Sequence, residues 1–208
     1  MTQEHDPSRD TPSASPGKVD VQIERPPVLS TEHRDVTLAP FTFAHRAGLM
    51  VAADDERIAR RMSNRFPYPY ETDDAEWWIS KCLAEDPPVS FVVLVDGTVA
   101  GGVGCEPHGD IRTGTAEVGW WLAPPWWGRG IAAIAVRRFV DYCFVDLDLH
   151  RVEAGVFSTN VASARVAEKA GFVLDGVARD GYLKSGDLVD RLCYGLARSS
   201  LDDEGGAG

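Results

Sequence analysis

Three observations predict a mixed α/β fold. Alternating strand patterns stand near both ends of the chain, a β-hairpin is centred on Asp96-Gly97, and a strand, helix, strand unit runs from Ala116 to Phe157. At 208 residues the chain is long enough for one domain with an ordinary core.

From Met1 to about Pro27 the residues are mostly Pro, Ser, Asp, Glu and Thr without apolar periodicity. Such a composition buries too little surface to offset ordering entropy, so a flexible tail is expected, taken here as residues 1–30. The domain is expected over 31–199, and LDDEGGAG lies in an acidic tail, residues 200–208.

DVTLAPFT (35–42) alternates as a strand should. Helix-favouring Ala, Arg, Met and Glu then run from Phe43 to Asn64 and predict one or two helices. FPYPY (66–70) reads as a loop, and Thr72, Asp73 and Asp74 are good helix-start residues before AEWWISKCLAE. SFVVLV and TVAGGVGC flank Asp96-Gly97, a pair that readily takes the positive φ angles of a tight turn. AEVGWWLA (116–123) is a strand, Trp126 to Phe144 a helix with a Gly-rich start, and HRVEAGVF (150–157) a strand. Asn160 to Ala170 predicts a further helix stopped by Gly171, and FVLDGVA and LVDRLCYGLA supply the last strands.

Composition narrows the function. A net charge of -11 opposes general binding to a nucleic-acid backbone. No apolar run approaches the ~20 residues a bilayer requires, and MTQEHDPSRD is unlike a secretory signal, so a cytoplasmic protein without membrane contact is expected. Cys82, Cys105, Cys143 and Cys193 lack ligand or disulfide-framework spacing, which predicts free thiols and no metal site.

WWLAPPWWGRGIA (120–132) is the most informative stretch, because a strand ends there and a helix begins with Gly128 and Gly130 in its first turn. Glycines let the backbone approach closely, free N–H groups and the helix dipole favour an anion, and Arg129 adds a formal charge. A tight strand-to-helix turn is the structural alternative. The spacing is neither a Rossmann fingerprint, since position 133 is Ala, nor a P-loop, since Lys-Ser/Thr is missing.

On these residues the chain resembles the GNAT family of N-acetyltransferases, whose pyrophosphate loop Q/R-x-x-G-x-G/A matches Trp127, Gly128, Arg129, Gly130, Ile131 and Ala132. Trp127 departs from the family's Gln or Arg. STNVASARVAEKAGFVLDGVARDGYLKSGDLVD is similar to the RimJ/RimL type, with N-x-x-S followed by E-K-x-G-F, and the likeness runs from about Asp35 to Arg198. The resemblance implies a twisted sheet of six or seven strands flanked by helices and splayed in the middle to admit the pantetheine arm of acetyl-coenzyme A. It also implies pairing of that arm with Trp120, Trp121 and Leu122, and a hydrogen bond to it from Asn160, whose alternative role is helix capping.

Roles in catalysis follow from the same likeness. Ser163, in the first turn of its helix, is the expected acid for the departing thiolate, or else a solvated helix-start serine. Many relatives use a Tyr for this where the chain has Ala167. Tyr182 is read as a proton relay or a buried aromatic. Glu117 is read as the base, provided that its strand presents it to the cleft, or as a supporting residue. Trp77, Trp78, Tyr68 and Tyr70 form an acceptor wall or pack the core, with at least one of the two tryptophans turned inward.

The expected reaction is direct attack of a neutral primary amine on the thioester. An alkyl amine (pKa ~10.4) or a protein N-terminus (pKa ~8) must first lose a proton. The first expectation for the acceptor is a protein N-terminal α-amine of ribosomal type, and the alternatives are a polyamine, an antibiotic or another small amine. Transfer of succinyl or another acyl group, and a non-catalytic acyl-coenzyme A sensor, stand beside it. A monomer or homodimer is expected.

Overall fold

The computed structural model describes residues 27–33 and 35–200. It contains strands β1 (Leu29–Ser30), β2 (Val36–Pro40), β3 (Ser90–Val95), β4 (Thr98–Pro107), β5 (Thr115–Leu122), β6 (Arg151–Phe157), β7 (Val173–Lys184) and β8 (Asp187–Ala197). The helices are α1 (Arg46–Ala53), α2 (Glu56–Ala59), α3 (Thr72–Leu83), α4 (Ile131–Val145) and α5 (Val161–Lys169). The strands make one sheet in the order β1-β2-β3-β4-β5-β6-β8-β7. Every pairing is antiparallel except β5 with β6.

The sheet therefore has eight strands, one more than the upper expectation. The extra one is β1, a two-residue strand too short for any period to show, which pairs Leu29 with Leu38. Composition placed residues 29 and 30 in the tail, yet Leu29 is buried in the core. The remainder of the expected N-terminal tail that precedes residue 27, and residues 201–208, lie outside the described residues.

The expected turns hold for the expected reasons. Asp96 and Gly97 take φ of 48° and 74° between β3 and β4. Gly171 takes φ 96° after α5, and the Phe172 amide donates back to the Ala167 carbonyl at 3.0 Å. The Phe43–Asn64 stretch yields α1 and the short α2. The Asp55 side chain caps α2 by accepting from the Arg57 amide at 2.8 Å. The long helix begins at Ile131, five residues later than Trp126, because prolines 124 and 125 force a 3-10 turn and Gly130 sits at φ 80°.

Helices cover both faces of the sheet. On one, Ile131, Ala135, Phe139 and Cys143 recur every four residues of α4. They pack with Ala164 and Ala167 of α5 on Ala116 and Val118 of β5 and on Val152, Ala154 and Val156 of β6. On the other, Leu49 of α1 and Ala75 and Ile79 of α3 pack on Phe41, Val92 and Val99. No helix among the described residues is long and apolar enough to cross a membrane.

Phe139 is fully buried edge-on to Phe91, with ring centroids 5.8 Å apart. Phe139→Ala is expected to cost about 3–5 kcal/mol of stability, read from the midpoint of urea unfolding. Burial pushes the Tyr142 hydroxyl and the Cys82 thiol each up to about 12, from ordinary values of 10 and 9. The folded state holds these protons where the unfolded chain releases them. Stability should therefore be intact below pH 9 and fall as the pH rises from 9 towards 12, which alkaline unfolding monitored by circular dichroism would test.

Candidate functional site

β5 and β6 run side by side for only three registered pairs, Thr115 with Arg151, Ala116 with Val152 and Glu117 with Glu153. Beyond Glu117 they part. Val118 to Leu122 continue to pair with β4 alone, while Ala154 to Phe157 pair with β8 alone. The expected splay is present, and it leaves one edge of β5 with amides and carbonyls open to a ligand that pairs in the manner of a strand.

At the end of β5 the backbone turns through the glycine loop. Gly128 and Gly130 take φ of 72° and 80°, and a Cβ built on either meets nothing within 4 Å, so a side chain is disfavoured there by backbone conformation alone. Among the described residues no backbone carbonyl accepts from the amides of Gly128, Arg129 or Gly130, and no side chain caps α4. These amides, with those of Ile131 and Ala132 in the first turn, suit an anion at the N-terminus of a 15-residue helix. Trp127 turns its ring back and donates Nε1–H to the Leu122 carbonyl at 2.7 Å. Arg129 stacks on Trp126 at 5.3 Å. A cleft of about 670 Å³, lined by Val51, Asp54, Arg57, Val99, Pro125 and Trp126 among others, opens beside the loop.

Because β5 and β6 are parallel, α5 starts at the same end of the sheet as α4. Asn160 caps it, its Oδ1 accepting from the Ser163 amide at 3.2 Å, which is the capping role that sequence offers as the alternative. Ser163 is half-buried in that first turn. Ala167 is 0% exposed inside the core, so in this packing the position has no room for a larger side chain.

The opposite face of the splay carries charge. Side chains alternate along β5, so Trp120 and Leu122 join the core under α4, whereas Trp121 packs against Phe66 on the other face, ring centroids 5.7 Å apart. The three residues expected to line the cofactor together are thus divided between two faces, and what they share is the open backbone edge. Glu117 lies on the Trp121 face. Its Oε2 is 3.0 Å from Nη2 of Arg191, which stands opposite Phe157 on β8 and reaches back over Gly155 towards Glu117.

Arg191 also stacks on the Tyr182 ring at 5.4 Å, and Tyr182 meets Phe157 edge-on at 5.0 Å. Gly155 makes this arrangement possible. A Cβ there would lie 2.0 Å from the Tyr182 hydroxyl oxygen and 2.5 Å from Arg191 Nε. Burial pushes the Tyr182 phenol above its ordinary value, with Arg191 pulling the other way, so the phenol keeps its proton at neutral pH. Arg191, Gly155 and Phe157 were not singled out from sequence. A charged residue inside the alternation of LVDRLCYGLA is the one signal that could have marked Arg191.

The α2–α3 connection reaches across to this cluster. Asn64 Nδ2 donates to the Leu183 carbonyl at 3.0 Å and Lys184 Nζ to the carbonyl of Ala59 at the end of α2 at 2.9 Å, tying α2 and the connection after it to the tip of the β7–β8 hairpin. Of the aromatics expected to form a wall, Tyr70 is buried and Trp78 packs against Phe41. Trp77 is 66% exposed, so one tryptophan of the pair does turn inward.

Comparison with known proteins agrees with this geometry. The chain is 46% identical over 90 residues to the probable N-acetyltransferase YjcK of Bacillus subtilis (strain 168), covering 43% of this chain and 49% of that protein. It is 32% identical over 112 residues to the putative ribosomal N-acetyltransferase YdaF of the same organism, covering 54% of this chain and 61% of that one. The chain thus spans about half the length of the curated relatives it matches. The solved structure of Mycobacterium smegmatis RimJ in complex with CoA-disulfide superposes with a TM-score of 0.70 at 25% identity, over 80% of this chain and 83% of that one. The acetyltransferase (GNAT) domain family matches residues 35–173, and the chain belongs to that family.

Proposed function

We propose that this protein transfers an acetyl group from acetyl-coenzyme A to a primary amine, and that the amine is the α-amino group of a protein N-terminus. The observation that carries the reading is the parting of β5 from β6 after Glu117, with an open glycine loop at the end of β5 and a polar cluster on the opposite face. The coenzyme's diphosphate would lie on the amides of Gly128 to Ala132. Its pantetheine arm would pair with the edge at Trp120 to Leu122 that β6 leaves unpaired, apart from the Leu122 carbonyl, which the Trp127 indole engages, and this directs the thioester into the gap.

Acetyl-coenzyme A supplies the activated acyl group. The acceptor approaches from the face that holds Glu117, Arg191 and Tyr182, while Ser163 belongs to the helix packed on the other face. Glu117, held by Arg191, takes the ammonium proton directly or through water, and the neutral amine attacks the thioester carbon. The C–N bond forms and the C–S bond breaks; Ser163 passes its hydroxyl proton to the departing thiolate and is reprotonated, through water, by the second proton of the attacking nitrogen, which leaves the neutral amide. Tyr182, neutral and in contact with Arg191, is placed to relay protons from the same cluster. Support for a protein acceptor comes from the name of YdaF, a putative ribosomal N-acetyltransferase, and an N-terminal amine of pKa ~8 places only a modest demand on a base.

Purified protein should release thiol from acetyl-coenzyme A when offered peptides with free N-termini, and far less with polyamines or aminoglycosides. The reverse preference would establish the small-amine reading, and coenzyme binding without turnover on any acceptor would establish a sensor. Ser163→Ala should lower kcat by about 10²-fold or more with coenzyme affinity unchanged. Gly155→Ala must displace the Tyr182 hydroxyl and Arg191. It should lower kcat by about 100-fold while leaving coenzyme affinity within a factor of about two, because it disturbs the acceptor face alone.

A further inference from the structure

The loop motif of the family places Gln or Arg where this chain has Trp127, which removes a polar or cationic group from the start of the anion site. The structure puts two cations back. The guanidinium carbons of Arg57 and Arg61 lie 5.5 Å and 5.4 Å from the centre of the Trp127 ring, within cation–π range. Its Nε1–H is bonded to the carbonyl of Leu122, the last residue of β5, which orients the ring. The platform therefore sits where the strand edge meets the glycine loop.

The two arginines differ in what neutralises them. Arg57 grips Asp55 through two hydrogen bonds, Nε to Oδ1 at 2.9 Å and Nη2 to Oδ2 at 2.6 Å. Arg61 has no acidic hydrogen-bond partner among the described residues. Its Nη1 donates to the Arg57 carbonyl at 2.7 Å, which orients the guanidinium and leaves its other N–H groups available. Asp55 feels both guanidinium groups, so one carboxylate stands against two cations. One residue before Arg61, Arg60 is cancelled by Glu56 at 2.8 Å. In a protein of net charge -11, Arg61 and Arg129 thus make a local positive patch on the two tryptophans that precede the glycines.

We propose that Arg61, carried on the face of Trp127, binds the diphosphate of coenzyme A and replaces the cation missing from the loop motif. The assignment rests on the acetyl-coenzyme A reading above. Arginine is suited to the task because its planar fork offers parallel N–H groups to phosphate oxygens while its face rests on the indole. An arginine at position 127 would reach the phosphates from the loop itself. Here the same charge arrives from the α2–α3 connection, so the cofactor site is shared between two parts of the chain distant in sequence.

The test is calorimetric binding of coenzyme A and of 3′-dephospho-coenzyme A to the full chain, with circular dichroism to confirm folding of each variant. Arg61→Gln should weaken binding of both ligands about tenfold. Arg60→Gln removes the same charge one residue away and should change affinity by less than about twofold. Adding Trp127→Arg to Arg61→Gln should recover most of the loss, since it returns the cation to the loop. Equal losses in Arg61→Gln and Arg60→Gln would overturn the proposal, leaving only a diffuse effect of charge. A loss seen with coenzyme A but not with its dephospho form would overturn the assignment to the diphosphate. If the wild-type chain bound neither ligand, the acetyltransferase reading would fall together with this one. Wild-type binding with an unaffected Arg61→Gln variant would remove this inference alone.

Discussion

The structure depends on where the parallel pairing of β5 and β6 stops. Backbone N–H and C=O groups need partners, and two strands that part after three registered residues leave Val118 to Leu122 without a strand partner along one edge, where the Trp127 indole takes the Leu122 carbonyl. Everything around the site is arranged about that departure. The last paired residue, Glu153, is held by Arg112 from the connection before β5 and by Arg151 at 3.2 Å, and Arg151 reaches on to Asp175 of β7 at 2.5 Å. These ion pairs stitch the closed end of the two strands, so the opening begins at a defined residue.

Past that point each face of the sheet has its own chemistry. Under α4 and α5 the even-numbered residues of β5 and β6 form a dry core that fixes both helix starts at the open end of the sheet. The odd-numbered positions on the other face are Thr115, Glu117, Gly119 and Trp121 of β5 and Arg151, Glu153, Gly155 and Phe157 of β6. Gly119 and Gly155 contribute no side chain, which leaves room for the Arg191 guanidinium and the Tyr182 phenol on Gly155 and keeps the space over Gly119 open. Ionic and hydrogen-bonding groups concentrate on this one side because α4 and α5 fill the opposite side of β5 and β6, whereas α1 and α3 pack farther along the sheet on Phe41, Val92 and Val99.

Charge is arranged locally in the same way. Net charge of -11 describes the chain as a whole and predicts nothing of the loop. Around Trp126 and Trp127, arginines outnumber the acids that pair with them, and indole faces hold the guanidinium groups without neutralising them. An acidic protein can in this way present cations at the point where a polyanionic coenzyme would lie.

Much of the fold was legible because it depends on local chemistry. Asp96-Gly97, Gly171, the two glycines before α4 and the Asn160 cap act through φ angles and nearby amides, so short stretches of sequence suffice to read them. The alternation of seven strands was legible for the same reason, whereas β1 was not, since two residues carry no period. The sequence by itself determined the mixed α/β class, the family likeness, the glycine loop and the start of the α5 helix. Tertiary structure decided which strands part, that Glu117 faces Arg191 and Tyr182, that Trp121 turns away from Trp120 and Leu122, and that Arg57 and Arg61 reach Trp127 from more than 60 residues away in sequence. Those relations depend on strand order, on register and on the packing of distant segments, and no local pattern of residue types encodes them.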